Sequence, residues 1–215
     1  DHLNTKIAVV EAIECPTLLN NGYGEHNIQG IGDKHVPLIH NVMNTDFVVG
    51  ISDQATNNLN LMFNTDIGKE YLILKKGFDS NFVNRLPEFG FSTIANILAS
   101  IKLAQYMKLG ADDAIITVAT DGADLYLSEL EKTKEDFAGI YDETACAEIY
   151  GQYLKGISTD NTLELNQREK ERIFNLGYYT WVEQQGIDIN EIEKRRHQTF
   201  WNEHHNYMLS LDNKI

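Results

Sequence analysis

Three short apolar runs punctuate the first half of the chain: Ile7-Ala8-Val9-Val10, Phe47-Val48-Val49-Gly50-Ile51 and Ala114-Ile115-Ile116-Thr117-Val118. Each is four or five residues long and rich in β-branched side chains, the pattern of strands buried on both faces of a parallel sheet. Between them the period changes. Leu59, Leu61, Met62 and Phe63 follow Ser52, a cap for a helix beginning at Asp53. Ile94, Ile97, Leu98, Ile101 and Ala104 recur at three- and four-residue spacing after Ser92, which is expected to cap that helix, with Gly110 as its stop. Strand, helix and strand in this order predict an α/β fold.

From about Gly122 onward the pattern reads as helices only. They are expected over Ala123 to Lys134, around Glu143 to Leu154, from Asn166 with Glu169 placed for a capping box, and from Thr180 to Gly186. The stretch from Ile189 to Tyr207 is charged and aromatic and reads as a helical extension. The expected organisation is an α/β part over residues 1–135 and a helical extension over 136–215, without a flexible linker between them.

Composition narrows the function. With 215 residues, 42% hydrophobic and 10% aromatic, the chain can bury one sizeable core. A formal net charge of -14 disfavours nucleic acid, whose binding depends on Lys and Arg displacing counterions. No apolar run reaches the roughly 20 residues of a membrane-spanning helix, so no membrane partner and a cytoplasmic setting are expected. Cys15 and Cys146 form no paired motif and read as buried thiols. His204-His205 and Tyr178-Tyr179 with Trp181 read as a polar face and as packing, and no metal site is expected. The opening Asp1-His2-Leu3-Asn4 lacks methionine and runs at once into an apolar strand, as a cut edge would.

The richest chemistry lies in Gly24-Glu25-His26-Asn27-Ile28-Gln29-Gly30-Ile31-Gly32-Asp33-Lys34-His35-Val36-Pro37. Glycines flanking Ile31 describe a backbone that turns tightly and approaches something closely, either a ligand or another part of the chain. This stretch resembles the His-Lys-Ile-Gln-Gly-Ile-Gly-x-x-Phe-Val-Pro segment of cysteine synthases and cystathionine β-synthases. The match falls on Ile28 to Gly32 and on Val36-Pro37. Two further stretches are similar in the same order. Phe89-Gly90-Phe91-Ser92-Thr93 resembles the family's Val-Gly-Ile-Ser-Ser-Gly, and Ile115 to Gly122 with Tyr126-Leu127-Ser128 resembles its Pro-Ser-x-Gly strand end and Tyr-Leu-Ser. The helical extension is most similar to longer bacterial proteins of this family, described as cofactor-dependent β-subunits.

The resemblance implies the C-terminal portion of a tryptophan-synthase-β-like, fold type II pyridoxal 5'-phosphate domain, three-layered with a mostly parallel sheet. It implies that Gly30, Ile31 and Gly32 border the cofactor and that Thr120 takes the position of the serine that meets the pyridine nitrogen. Asp121 is the alternative there. A hydroxyl does not hold that nitrogen protonated as a carboxylate does, which favours β-elimination and β-replacement on a small amino acid. Asp33 and His35 depart from the family's small and aromatic residues and are the expected substrate-side groups. Lys34 reads as a solvated loop residue. Ser92 reads as a helix cap first and as a support behind the cofactor second.

The family's Schiff-base lysine and Gly-Thr-Gly-Gly-Thr phosphate loop have no counterpart in this sequence. The resemblance therefore implies an N-terminal half or separate subunit as partner, with the assembled unit a homo-oligomer. Two other classes stand beside the enzyme: a non-catalytic partner that keeps the fold, and a small-ligand α/β module unrelated to the cofactor, which is expected to hold Gly30 and Thr120 far apart.

Overall fold

A computed structural model describes residues 5–212; Asp1 to Asn4, which carry the cut-edge expectation, lie outside the described residues. The chain is α/β, with a small mixed sheet of three strands in the order β1-β2-β3 among the described residues. β1 is Ala8–Ala12 and β2 is Phe47–Ile51, paired in parallel with Ala8 opposite Phe47 and Ala12 opposite Ile51. Both follow the apolar runs. β3, Thr162–Glu164, runs antiparallel on the other side of β2, with Thr162 opposite Val49 and Glu164 opposite Phe47.

The third strand is thus not the one expected. Residues 114–118 have no regular structure, and Ile116 is 96% exposed. Instead the segment runs back along helix α5 (Phe91–Met107), held by its side chains: Asn96 Nδ2 donates to the Val118 carbonyl at 2.9 Å and Thr93 Oγ1 accepts Thr120 N–H at 3.2 Å. An apolar β-branched run becomes a strand only where a neighbouring strand takes its backbone groups. The expectation of helices alone beyond Gly122 is corrected in turn, because β3 comes from that region.

Alternation along β2 divides the interior. Phe47, Val49 and Ile51 face a core with Ala12, Ile28 and residues of α2 (Asp53–Asn64), α5 and α7 (Glu143–Tyr150). Val48 points the other way, into a second core with Leu18 of α1 (Thr17–Asn20), Val36, Val42, Leu165 and Ile173 of α8 (Gln167–Tyr178). Helices therefore cover both faces of the sheet, and residues from beyond position 136 contribute to both cores.

The remaining helices are α3 (Asp66–Glu70), α4 (Ser80–Arg85), α6 (Leu127–Asp136), α9 (Ile189–Lys194) and α10 (Gln198–Asp212). Capping follows the sequence at two starts: Ser52 accepts Ala55 N–H, and Asn166 accepts Glu169 N–H. It departs elsewhere. α5 has Gly90 as its N-cap with no side-chain bond, and Lys108, in a left-handed conformation, ends it before Gly110. No separate helix starts at Thr180, since α8 passes directly into a π-helical turn over Tyr179–Gln184 that closes before Gly186. No helix among the described residues is long and apolar enough to cross a membrane.

Candidate functional site

The glycine loop is built from its anchors. Asp53, at the first turn of α2, accepts Asn27 N–H at 2.6 Å and Ile28 N–H at 3.1 Å, and Ile28 is fully buried. Asn27 Nδ2 adds bonds to Asn57 of α2 and Glu129 of α6, both at 3.0 Å. With its entry pinned, the chain turns: Ile31 N–H donates to the Ile28 carbonyl at 3.2 Å, and Gly30 takes φ +81°. That is the third-residue conformation of a type II turn, which favours glycine. Gly32, at φ +91°, lets the His26 ring lie close; a Cβ there would stand 2.9 Å from His26 Nε2.

This turn delivers Gly30 to the head of α5. A Cβ on Gly30 would meet Ser92 Oγ at 3.9 Å, and Ser92 Oγ lies 2.8 Å from Thr120 Oγ1. Thr120 donates onward to Asp121 Oδ1 at 3.1 Å, so in this arrangement Ser92 donates to Thr120. Ser92, expected as a cap, is instead a buried hydroxyl inside the first turn of α5. Asp121 Oδ2 accepts the Tyr126 hydroxyl. Burial first, and then this bond to a carboxylate, pushes the Tyr126 phenol up to about 12. Both Asp121 oxygens are therefore engaged.

Close packing holds the cluster. A Cβ on Gly90 would lie 2.4 Å from Asp121 Oδ1, while Gly90 N–H donates to the Asp121 carbonyl at 2.8 Å. Gly30, Ser92, Thr120 and Asp121 thus meet in one place although they come from three separate stretches of sequence. Ile31 packs on the first core.

Asp33 and His35 make their contacts on the α1 side. His35 Nδ1 lies 3.4 Å from Asp33 Oδ1, and the Asp33 carbonyl accepts the Thr17 hydroxyl at 2.6 Å. The acid and the imidazole form a partly exposed pair. The supports that sequence reasoning missed are Asp53, Thr93 and the partnership of Tyr126 with Asp121; a polar residue at a helix start or beside a glycine was the available signal.

Among the described residues, the buried lysine lies away from this cluster. Lys102 is ten residues beyond Ser92 on α5, about 15 Å along the helix axis, and its ammonium is bound to the Asp160 carbonyl and carboxylate, each at 2.8 Å. It lines a cleft of about 440 Å³ at the carboxyl ends of β1 and β2, with Glu14, Ser52 and Asn161. Among the described residues, no group of three or more His, Cys, Asp or Glu is placed to hold a metal ion. Cys15 and Cys146 are buried free thiols. No protein-family model matches the chain, and a search of curated proteins returns no relative.

Proposed function

We propose that this chain is the C-terminal part of a fold type II pyridoxal-phosphate enzyme of the cysteine synthase type, acting on a small amino acid by β-replacement or β-elimination. The observation that carries the reading is the meeting of Gly30, Ser92 and Thr120. The three stretches that resemble that family one by one, around residues 28–32, 90–93 and 115–122, supply neighbouring groups. A module with Gly30 and Thr120 far apart is disfavoured by the same contact.

The residues present fit one side of the cofactor. Thr120 would offer its neutral hydroxyl to the ring nitrogen by turning the proton away from Asp121 while still accepting from Ser92, and Gly30 leaves room for a flat ring to approach the backbone. Pyridoxal phosphate supplies an electron sink for a substrate carbanion. The chain's own contribution is to hold the ring nitrogen against a hydroxyl and so moderate that sink. Asp121, packed against Gly90 and bound by the Tyr126 hydroxyl, is the weaker candidate for the nitrogen. Asp33 and His35 bind the substrate side and carry a proton.

The Schiff-base lysine and phosphate loop come from an N-terminal half or separate subunit, and the assembled enzyme works as a dimer in the cytoplasm. The exposed apolar run at 114–118 supports a partner of this kind, since a strand from another polypeptide would satisfy it. The test is a titration of the chain, with and without its N-terminal counterpart, by pyridoxal phosphate. A visible absorption band in the complex, with affinity reduced by Thr120→Val, supports the reading. No spectral change in the complex leaves the alternative, a non-catalytic partner that has kept the fold.

A further inference from the structure

The stretch from Asp33 to Thr45 connects the glycine turn to β2 and carries both substrate-side groups. It has little regular structure, yet side chains from the helical layer grip its backbone. The Trp181 indole N–H, from the π-helical turn after α8, donates to the Val36 carbonyl at 2.8 Å. Lys170 Nζ, on α8, donates to the Met43 carbonyl at 3.0 Å. Between these points Val36 and Val42 are buried against Ile173 of α8 in the second core.

The same helix is locked to α1. Arg172 Nη2 donates to the Leu18 carbonyl at 2.7 Å and Arg172 Nη1 to the Asn21 side chain. α1 in turn holds the Asp33 carbonyl through the Thr17 hydroxyl. The loop is therefore fixed at Asp33 from one side and at Val36 from the other, and His35 lies between the two fastenings.

We infer that α8 and the turn after it are a brace that sets the orientation of Asp33 and His35, with Trp181 as the positioning residue that transmits it. The helical layer thereby determines which substrate side chain the loop accepts. The substrate role rests on the function proposed above; the brace itself does not.

The experiment uses the full chain and needs no cofactor. Trp181→Phe keeps an aromatic ring and deletes only the indole donor. Trp201→Phe is the control, because the Trp201 indole donates instead to the Arg195 carbonyl. Amide exchange and the His35 imidazole resonances are followed by NMR.

The brace is supported if Trp181→Phe speeds exchange of the His35 and His40 N–H groups, which donate to Asp33 Oδ1 and the Pro37 carbonyl, by a factor of roughly three to ten, the worth of one neutral hydrogen bond, and moves the His35 resonances. Trp201→Phe must do neither. It is overturned if the loop is unchanged in Trp181→Phe, or if exchange rises equally throughout the chain. Should Trp181→Phe fail to fold, Lys170→Met decides by the same readout over residues 41–45. In the assembled enzyme Trp181→Phe raises KM more than it lowers kcat. Failure of cofactor binding would sink the proposed function and leave the exchange result standing.

Discussion

Lys102 on α5 reaches Asp160, 58 residues further on, and binds its backbone carbonyl and its carboxylate at the same distance of 2.8 Å. The ammonium is buried while the carboxylate stays 62% exposed. The pair holds Asp160 below the usual carboxylate range, chiefly through the Lys102 hydrogen bond. It also fixes the turn that leads into β3, where Gly50 N–H meets the Asn161 carbonyl at 2.8 Å.

Lys102→Met is expected to cost about 1 kcal/mol, since the charged donor is lost but its exposed partner returns to water. Amide exchange should quicken first at residues 161–164. The Asp160 pKa is depressed, so the stabilisation is complete above its ordinary 3.8 and is lost as pH falls through the native value. Urea unfolding of both proteins between pH 2.5 and about 7 measures it, and equal slopes on the acid side would refute the assignment.

Gly90→Ala should destabilise the chain by roughly 1–3 kcal/mol, the cost of overpacking a site whose neighbours have little room to give. The added methyl would lie 2.4 Å from Asp121 Oδ1 and 3.1 Å from the Asp121 carbonyl. The Tyr126 ring resonances in NMR and thermal unfolding report the effect. Gly77→Ala, at a positive φ but with nothing within 4 Å, tests backbone strain without a clash and should leave the Tyr126 environment untouched.

Glu11 on β1 is 3% exposed and receives the N–H groups of Leu18 and Leu19 at 3.0 and 2.7 Å. Burial raises its pKa above 4.5, outweighing the lowering by these two bonds and by Arg172. The folded state then holds the proton more tightly than the unfolded one. This group's contribution to stability therefore falls as pH rises from 4.5 through the native value. Glu11→Gln lacks that slope and leaves one N–H facing an amide, a loss of about 1 kcal/mol. Its deficit against the natural chain should shrink as pH is raised across this window, and a deficit that grows instead would contradict the burial argument.

His40, in the braced loop, has its pKa pushed below 6.5 by burial, and its Nε2 lies 2.9 Å from Thr45 Oγ1. Its neutral form is the one the fold accepts. The stabilisation is complete above pH 6.5 and is lost as pH falls through the lowered native value. Protection factors at residues 40–45, corrected for the intrinsic slowing of amide exchange in acid, should fall on acidification in the natural chain and show a weaker pH response in His40→Gln.

The sequence by itself determined the features that local physics dictates. Two apolar runs became β1 and β2, Ser52 capped α2, and the Ile28-Gln29-Gly30 turn took the positive φ that its glycine permits. Each depends on a handful of adjacent residues. The tertiary structure decided the rest. Residues 114–118 read as a buried strand, but β structure is a property of a pair, and no strand lies beside them among the described residues. β3 is three residues long with little apolar character, and it exists because Lys102 and the end of β2 hold it in register. Ser92 carried the signature of a cap, yet its hydroxyl turns to Thr120, 28 residues away. On the helices beyond position 136, amphipathic spacing identifies an apolar face without naming what covers it. Only the folded chain pairs the face of α8 with Val48 and the loop at Val36, and so joins it to the candidate site.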